Sequence, residues 1–136
     1  DLNYSEVLNF SEMQFVIPGP GAIDGIRKCF SDVGGITEME LIKMVTERQD
    51  DFFDMLDIKF RTLWGRKLQL VDSQNLFCEI SKYARVAHPD ICGNSKRTRI
   101  KQLFRSNCDK IDYWYPPKWG INERITKKAT TDDGQI

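Results

Sequence analysis

The segment Ile17-Pro18-Gly19-Pro20-Gly21-Ala22 constrains this chain more than any other. Its prolines fix φ and each removes a backbone N–H. Its glycines permit positive φ and a close approach of the backbone to a neighbour or ligand. Directly behind it, Ile23-Asp24-Gly25-Ile26-Arg27-Lys28-Cys29-Phe30 has helical spacing, with Ile23, Ile26 and Phe30 on one face, and predicts a helix over Ala22 to Ser31. Such a joint is open to two readings. It is a tight turn between packed helices, or it is a cradle for one phosphate, built from unpaired N–H groups at the positive end of a helix dipole. On the second reading Gly19, Gly21 and Ala22 supply backbone, and Lys28 lies near enough to add a cation.

The rest of the chain reads as helices. A short helix is expected from Ser5 to Phe15, before the glycine turn, and Gly34-Gly35 ends the helix that follows it. Thr37 with Glu40 three residues on forms a capping box. Ile42, Val45, Phe52 and Leu56 then step along one face, interrupted by Gln49, while Glu47, Asp50, Asp51 and Asp54 stay outside, so one helix is expected from Thr37 to about Leu56. Lys59 to Leu70 reads as a connector broken at Gly65, with Phe60, Leu63 and Trp64 packing. A helix over about Asp72 to Val86 stops at His88-Pro89. Asn94-Ser95 is expected to cap another, from Lys96 to about Phe104, burying Ile100, Leu103 and Phe104. Tyr113-Trp114-Tyr115-Pro116-Pro117-Lys118-Trp119 is a proline-broken aromatic loop. No repeat and no strand pair is evident. The fold class is therefore all-α, with one helical domain over 1–125 and a polar, disordered tail over 126–136.

Composition sets the outer limits. At 40% hydrophobic and 29% charged, the 136 residues suit a single soluble globular domain. No apolar run has the length of a membrane span and no signal peptide is evident, so an intracellular protein without a membrane partner is expected. The opening Asp1-Leu2-Asn3-Tyr4 enters directly into patterned sequence, as in a piece of a longer protein. Cys29, Cys78, Cys92 and Cys108 are widely spread, which predicts reduced and mostly buried thiols rather than a disulfide frame, a zinc cluster or an iron–sulfur site. The single histidine, His88, has no partner histidine, and no metal site is expected. Net charge is zero, yet 37–57 holds seven acidic residues against two basic, and 94–119 seven basic against two acidic. A surface of each sign is thus available. The composition sets no oligomeric state.

Chemistry can sit on the helix from Asp72. Asp72, Asn75, Glu79 and Lys82 fall at i, i+3, i+7 and i+10 and share one stripe, beside the apolar Leu76, Ile80 and Tyr83. A carboxylate at a helix start is held ionised by the dipole, and it suits either stabilising charge on a sugar or activating a nucleophile. The same residues are equally consistent with an N-cap and an ordinary surface ion pair. Arg97, Lys101 and Arg105 fall at i, i+4 and i+8, a basic stripe able to follow a phosphate backbone if the segment is helical. Tyr113, Trp114, Tyr115 and Trp119 offer rings for base stacking or for closing a core.

A glycine hairpin, an intervening helix and then Val71-Asp72-Ser73-Gln74 opening another helix resemble the helix-hairpin-helix DNA glycosylase superfamily. More specifically, Pro18-Gly19-Pro20-Gly21-Ala22, Gly25-Ile26, Lys28 and Phe30, followed by Asp72, Gln74, Leu76, Cys78-Glu79, Lys82-Tyr83 and Arg85, resemble the thymine-hypermodification family. That family includes predicted alpha-glutamyl/putrescinyl thymine pyrophosphorylases and the helical domain of 5-hydroxymethyl-deoxyuridine DNA kinases. The likeness covers about residues 1–86 and implies the C-terminal part of a longer family domain. It implies an enzyme that acts on a pyrimidine flipped out of DNA. In one branch an amine or amino acid displaces pyrophosphate from a 5-pyrophosphoryloxymethyl group; in the other a modified base is cut from its sugar. Asp72, Glu79 and Lys82 would then be catalytic, Gln74, Asn75 and Tyr83 would read the base, and Gly19, Gly21, Ala22, Lys28, Arg97 and Lys101 would hold DNA phosphates. No cofactor is implied, and magnesium only where pyrophosphate is released. A non-catalytic DNA-binding or assembly module is the alternative, and an adaptor using the acidic 37–57 segment is a third.

Overall fold

The computed structural model describes residues 2–100, 105 and 112–129, the last four by backbone alone. Their elements are helical throughout: α1 (Pro20–Cys29), α2 (Glu38–Glu47), α3 (Gln49–Met55), α4 (Leu70–Ala87) and α5 (Asn122–Ala129), with short 3-10 turns at Leu2–Tyr4 and Pro117–Trp119. Among the described residues the only β pairing is an isolated bridge between Leu63 and Arg66. The chain divides into two compact units. One comprises 1–11, 62–67 and 105–136; the other comprises 12–61 and 68–104.

The second unit is built on α1 and α4. Proline at the first helical position and Gly19 as N-cap start α1, since proline lacks only an N–H that has no helical partner there. Ile26 and Ala22 are wholly buried on its inner face, against Phe77 and Leu70 of α4. Burial of a side chain the size of Ile26 stabilises by roughly 1.5–3 kcal/mol. The close approach depends on Gly25: a Cβ there would lie 1.9 Å from the carbonyl oxygen of Phe77. Leu41 and Ile42 of α2 close the core, and Phe30 tilts onto Phe77 with ring centroids 6.5 Å apart. The α2–α4 contact is partly polar: the Thr46 and Ser73 hydroxyls, both buried, lie 2.8 Å apart.

Local signals place the helix ends. The end of α1 is an exception: it stops at Cys29, with Phe30 already extended (φ −127°, ψ 121°), ahead of Gly34 and Gly35, whose φ of 62° and 81° turn the chain that follows. Thr37 accepts from the Glu40 backbone while Glu40 accepts from the Thr37 backbone at 2.7 Å, the expected capping box. The expected continuous helix beyond it is two helices. Gln49 is buried, and its amide donates to the Thr46 carbonyl (2.6 Å) and the Leu68 carbonyl (3.1 Å) while accepting from the Leu68 N–H (2.9 Å). The Thr46 carbonyl, which a continuous helix would offer to Asp50, is thereby engaged, and the chain bends at Arg48 (φ −99°, ψ 17°).

Other expectations also change. No helix forms over Ser5 to Phe15; the segment is irregular, with Ser5 Oγ accepting from the Leu8 N–H in place of a helical carbonyl. Nor does one form over Lys96 to Ile100. Asp24 holds the Ser95 N–H at 2.7 Å, and Lys96 takes φ 49°, so the chain is turned away from a helical path at its expected start. Lys101 to Phe104 lie outside the described residues. Residues 126–129, expected in a disordered tail, belong to α5, and the remainder of that tail is outside the described residues. Cys29 and Cys92 are exposed rather than buried, Cys78 is half-buried, and all three are free thiols; Cys108 is outside the described residues.

In the first unit, Trp64 and Gly65 (φ 51° and 84°) form a tight turn closed by the Leu63–Arg66 bridge. Asn122 donates to the Tyr115 carbonyl and accepts from the Tyr115 N–H, fixing the aromatic segment to α5.

Replacing Gly25 by alanine is expected to lower stability by about 3 kcal/mol, because backbone rather than a flexible side chain meets the new methyl. A lower urea midpoint at unchanged slope would show it. Thr37→Ala should cost about 1 kcal/mol through the lost cap.

Candidate DNA-facing site

The residues of interest lie on α4 and at the start of α1. Gly19 has φ −76° and ψ 168°, and neither Gly19 nor Gly21 is among the positive-φ glycines. They are required for proximity instead. A Cβ on Gly21 would sit 3.2 Å from Cys78 Sγ, and one on Gly19 would sit 3.8 Å from Gln74 Nε2. The Pro-Gly-Pro-Gly segment is thus the extended entry (Pro18-Gly19) and first turn (Pro20-Gly21) of α1, laid along the Gln74–Cys78 side of α4, with no helix directly before it. Its capacity as an anion cradle is small. Pro20 has no N–H, and Ala22 is completely buried and closed to a phosphate. Gly19 and Gly21 alone of that set remain half-exposed.

Lys28, expected as a phosphate-facing cation, is turned inward. Its ammonium lies 3.3 Å from Asp24 Oδ2 and donates to the Ser81 carbonyl at 3.1 Å, with its side chain 3% exposed. Asp24 also accepts from the Ser81 hydroxyl at 2.5 Å and the Ser95 N–H at 2.7 Å. Arg85 donates to the Ser81 hydroxyl from the far side, at 3.1 Å. Burial pushes the Asp24 carboxyl up, but hydrogen bonds from Ser81, from the Ser95 backbone and side chain and from Lys28 together outweigh it, and hold the group at about 2 against an ordinary 3.8. Gly93 packs on this node; a Cβ there would fall 2.4 Å from Asp24 Oδ1. Asp24, Ser81 and Gly93 carried no site expectation from sequence, and Ser95 was expected only as a helix cap. Only the i, i+4 spacing of Asp24 and Lys28 hinted at the pair.

On α4, Asp72 is the N3 residue of a capping box, accepting from the Gln69 N–H at 2.8 Å. Its carboxylate is tied to the helix start, although the N-cap is Gln69 and not Asp72, because α4 begins at Leu70, ahead of the expected Asp72. Asp72 and Gln74 are two residues apart, hence about 200° around the helix. Gln74 faces the glycine segment, and Asp72 lies on the opposite side. The stripe itself is present: Asn75, Glu79, Lys82 and Tyr83 are exposed, with Leu76 (49% exposed) between them. Glu79 and Lys82 form a surface ion pair at 2.5 Å, and the Tyr83 ring meets His88 edge-on at 5.8 Å. Arg97 is exposed but not helical, so the basic stripe with Lys101 and Arg105 is not formed as expected; Lys101 is outside the described residues. No group of three or more His, Cys, Asp or Glu able to hold a metal ion occurs among the described residues. No helix among them is long and apolar enough to cross a membrane.

The unit so defined is a small helical domain, α1 laid on α4, closed at its C-terminal end where Gly93 seats on Asp24. Residues 1–93 match the family described as 5-hmdU DNA kinase, helical domain, and the chain belongs to that family. No curated protein and no solved structure matches the chain.

The depressed Asp24 makes acid stability a test of the buried node. Its carboxylate form is favoured in the folded state, so its contribution is complete well above 3.8 and lost as pH falls towards about 2. Asp24→Asn should be less stable at neutral pH by about 3 kcal/mol, since Lys28 is left buried without its counter-charge. It should also show a shallower acid-dependent loss, read from denaturant melts across pH 5 to about 2.

Proposed function

We propose that this chain is the DNA-engaging helical part of an enzyme that modifies thymine-derived bases, with 5-hydroxymethyluracil in DNA as the base it meets. The observation that carries the reading is the family match, which runs from residue 1 to Gly93, the span that builds the α1–α4 unit and its closing contact. The exposed face of α4 supplies suitable chemistry. Asn75 offers a donor and an acceptor to a pyrimidine edge, Tyr83 a ring, and the Glu79–Lys82 pair a cation that an anionic 5-substituent would compete for. A base reaches such a face only out of the stack, because the duplex hides its edge.

The finer reading, in which an amine or amino acid displaces pyrophosphate at the 5-methylene carbon, is retained as the reaction this face would serve. The C–O bond to the pyrophosphoryl group breaks as the C–N bond forms; pyrophosphate departs with its electron pair and the attacking amine loses a proton. Lys82 would neutralise the leaving group. Excision of the base is the alternative chemistry. The capping role of Asp72 favours a second reading, in which the chain binds DNA and carries no catalytic carboxylate at this position.

Two measurements separate these readings. Duplexes with 5-hydroxymethyluracil or thymine at one position are titrated with the protein. Preference for 5-hydroxymethyluracil is expected, reduced up to about tenfold by Asn75→Ala, the scale of a lost hydrogen bond. Absence of binding to either duplex at low salt would reject the proposal. Nucleoside mass spectrometry then follows DNA carrying the pyrophosphorylated base in the presence of amines. An amine-bearing nucleoside assigns the transferase, and a free base with an abasic site assigns excision. Asp72→Asn should bind normally; a loss of turnover of about a hundredfold makes Asp72 catalytic, and unchanged turnover makes it a cap.

A further inference from the structure

The first compact unit, whose residues lie largely beyond the family match, carries a ladder of planar groups. The Arg66 guanidinium lies 3.8 Å over the Trp119 ring, Trp119 stacks on Tyr115 with centroids 5.7 Å apart, and Tyr115 stacks on Tyr113 at 6.4 Å with planes within 7°. Trp64 braces Tyr115 edge-on at 6.2 Å. The ladder is held rigidly: Asn122 bonds both backbone groups of Tyr115, Arg124 donates to the Trp64 carbonyl at 2.8 Å, and the Tyr4 hydroxyl donates to the Trp114 carbonyl at 3.0 Å. Its end ring, Tyr113, is uncovered, and so is the neighbouring Trp114, which makes no ring contact with the ladder among the described pairs. Tyr113 is 63% exposed and Trp114 64%, an unusual exposure for two adjacent large aromatic side chains.

A core-closing role, the ordinary use of such rings, accounts for Tyr115 and Trp119 but not for Tyr113 and Trp114. The partner that fits is set by shape and charge together. Continuing a parallel stack requires a flat π group. Arg66 and Arg124 contact ladder residues, Lys118 adjoins Trp119 in sequence with its ammonium 3.6 Å over the Phe10 ring, and Lys and Arg outnumber Asp and Glu among the described residues of this unit, so that group should belong to an anionic chain. Unpaired nucleotides combine both properties, and paired ones do not, because their faces are already stacked. We propose that this unit binds single-stranded DNA, with successive bases stacking on Tyr113 and Trp114 and the phosphates passing Arg66, Lys118 and Arg124. The site is separate from the α4 face and does not depend on the function proposed for it.

The test is a titration of the full chain with short oligothymidylate, read by quenching of tryptophan emission and by anisotropy of a labelled strand. Saturable binding is expected, about tenfold weaker for Tyr113→Ala or Trp114→Ala and nearly unchanged for Tyr113→Phe or Trp114→Phe, which keep a ring. Polyphosphate, which has the charge without bases, should compete poorly. Equal binding by the alanine variants, or equal affinity for polyphosphate, would overturn the proposal. Asn75→Ala is expected to leave oligothymidylate binding intact, and Tyr113→Ala to leave duplex recognition intact, so either surface can fail alone.

Discussion

The α1–α4 unit depends on one close approach, that of Gly25 to the Phe77 carbonyl. Removing a side chain at this position lets the α1 backbone reach α4, and it is this proximity that buries Ile26 and Ala22 completely and brings Phe30 onto Phe77. The same approach places Gly21 beside Cys78 and Gly19 beside Gln74. The glycines of α1 and its leading segment therefore act as a set, each spaced so that the α1 backbone can lie along α4. Their work is steric, and no positive φ is involved.

Beside this apolar contact sits a charged one. A buried Asp24–Lys28 pair is costly to desolvate and persists only where further hydrogen bonds complete it. Ser81 serves both ions at once, its hydroxyl to Asp24 and its carbonyl to Lys28, while Ser95 brings in the chain beyond α4. The node fastens residues 93–95 to α1 across about 70 residues of sequence. It also turns the Lys28 ammonium away from the surface, whereas Asn75, Glu79, Lys82 and Tyr83 of α4 are exposed.

The two units present different surfaces. The α1–α4 unit offers an exposed helix stripe of amide, ion pair and phenol, which we propose reads one base. The other offers the exposed Tyr113 and Trp114 rings beside a cation-based ladder, which we propose takes a run of unpaired bases. Base modification in DNA has use for both, since a target base must leave the duplex before chemistry and the strand around it must be held.

Much of this was legible along the chain because it is decided locally. The Thr37–Glu40 capping box, the helix ending at His88-Pro89 and the α4 stripe all follow from residues within a few positions of one another. The family likeness was legible for the same reason, resting on short runs in fixed order. What the sequence could not decide were outcomes set by distant partners. Gln49 bends α2 from α3 because Leu68 is there to bond it. No helix starts at Ser95, because the chain that Asp24 anchors there turns left-handed at Lys96 (φ 49°). Lys28 turns inward because Ser81 and Asp24 receive it, and Gln74 is partly covered while Asn75 beside it is exposed because the α1 segment lies along only one side of α4. Local propensity sets where helices start and stop; which side chains face solvent, and so which can meet DNA, is set by long-range packing and buried hydrogen bonds that only the tertiary structure brings together.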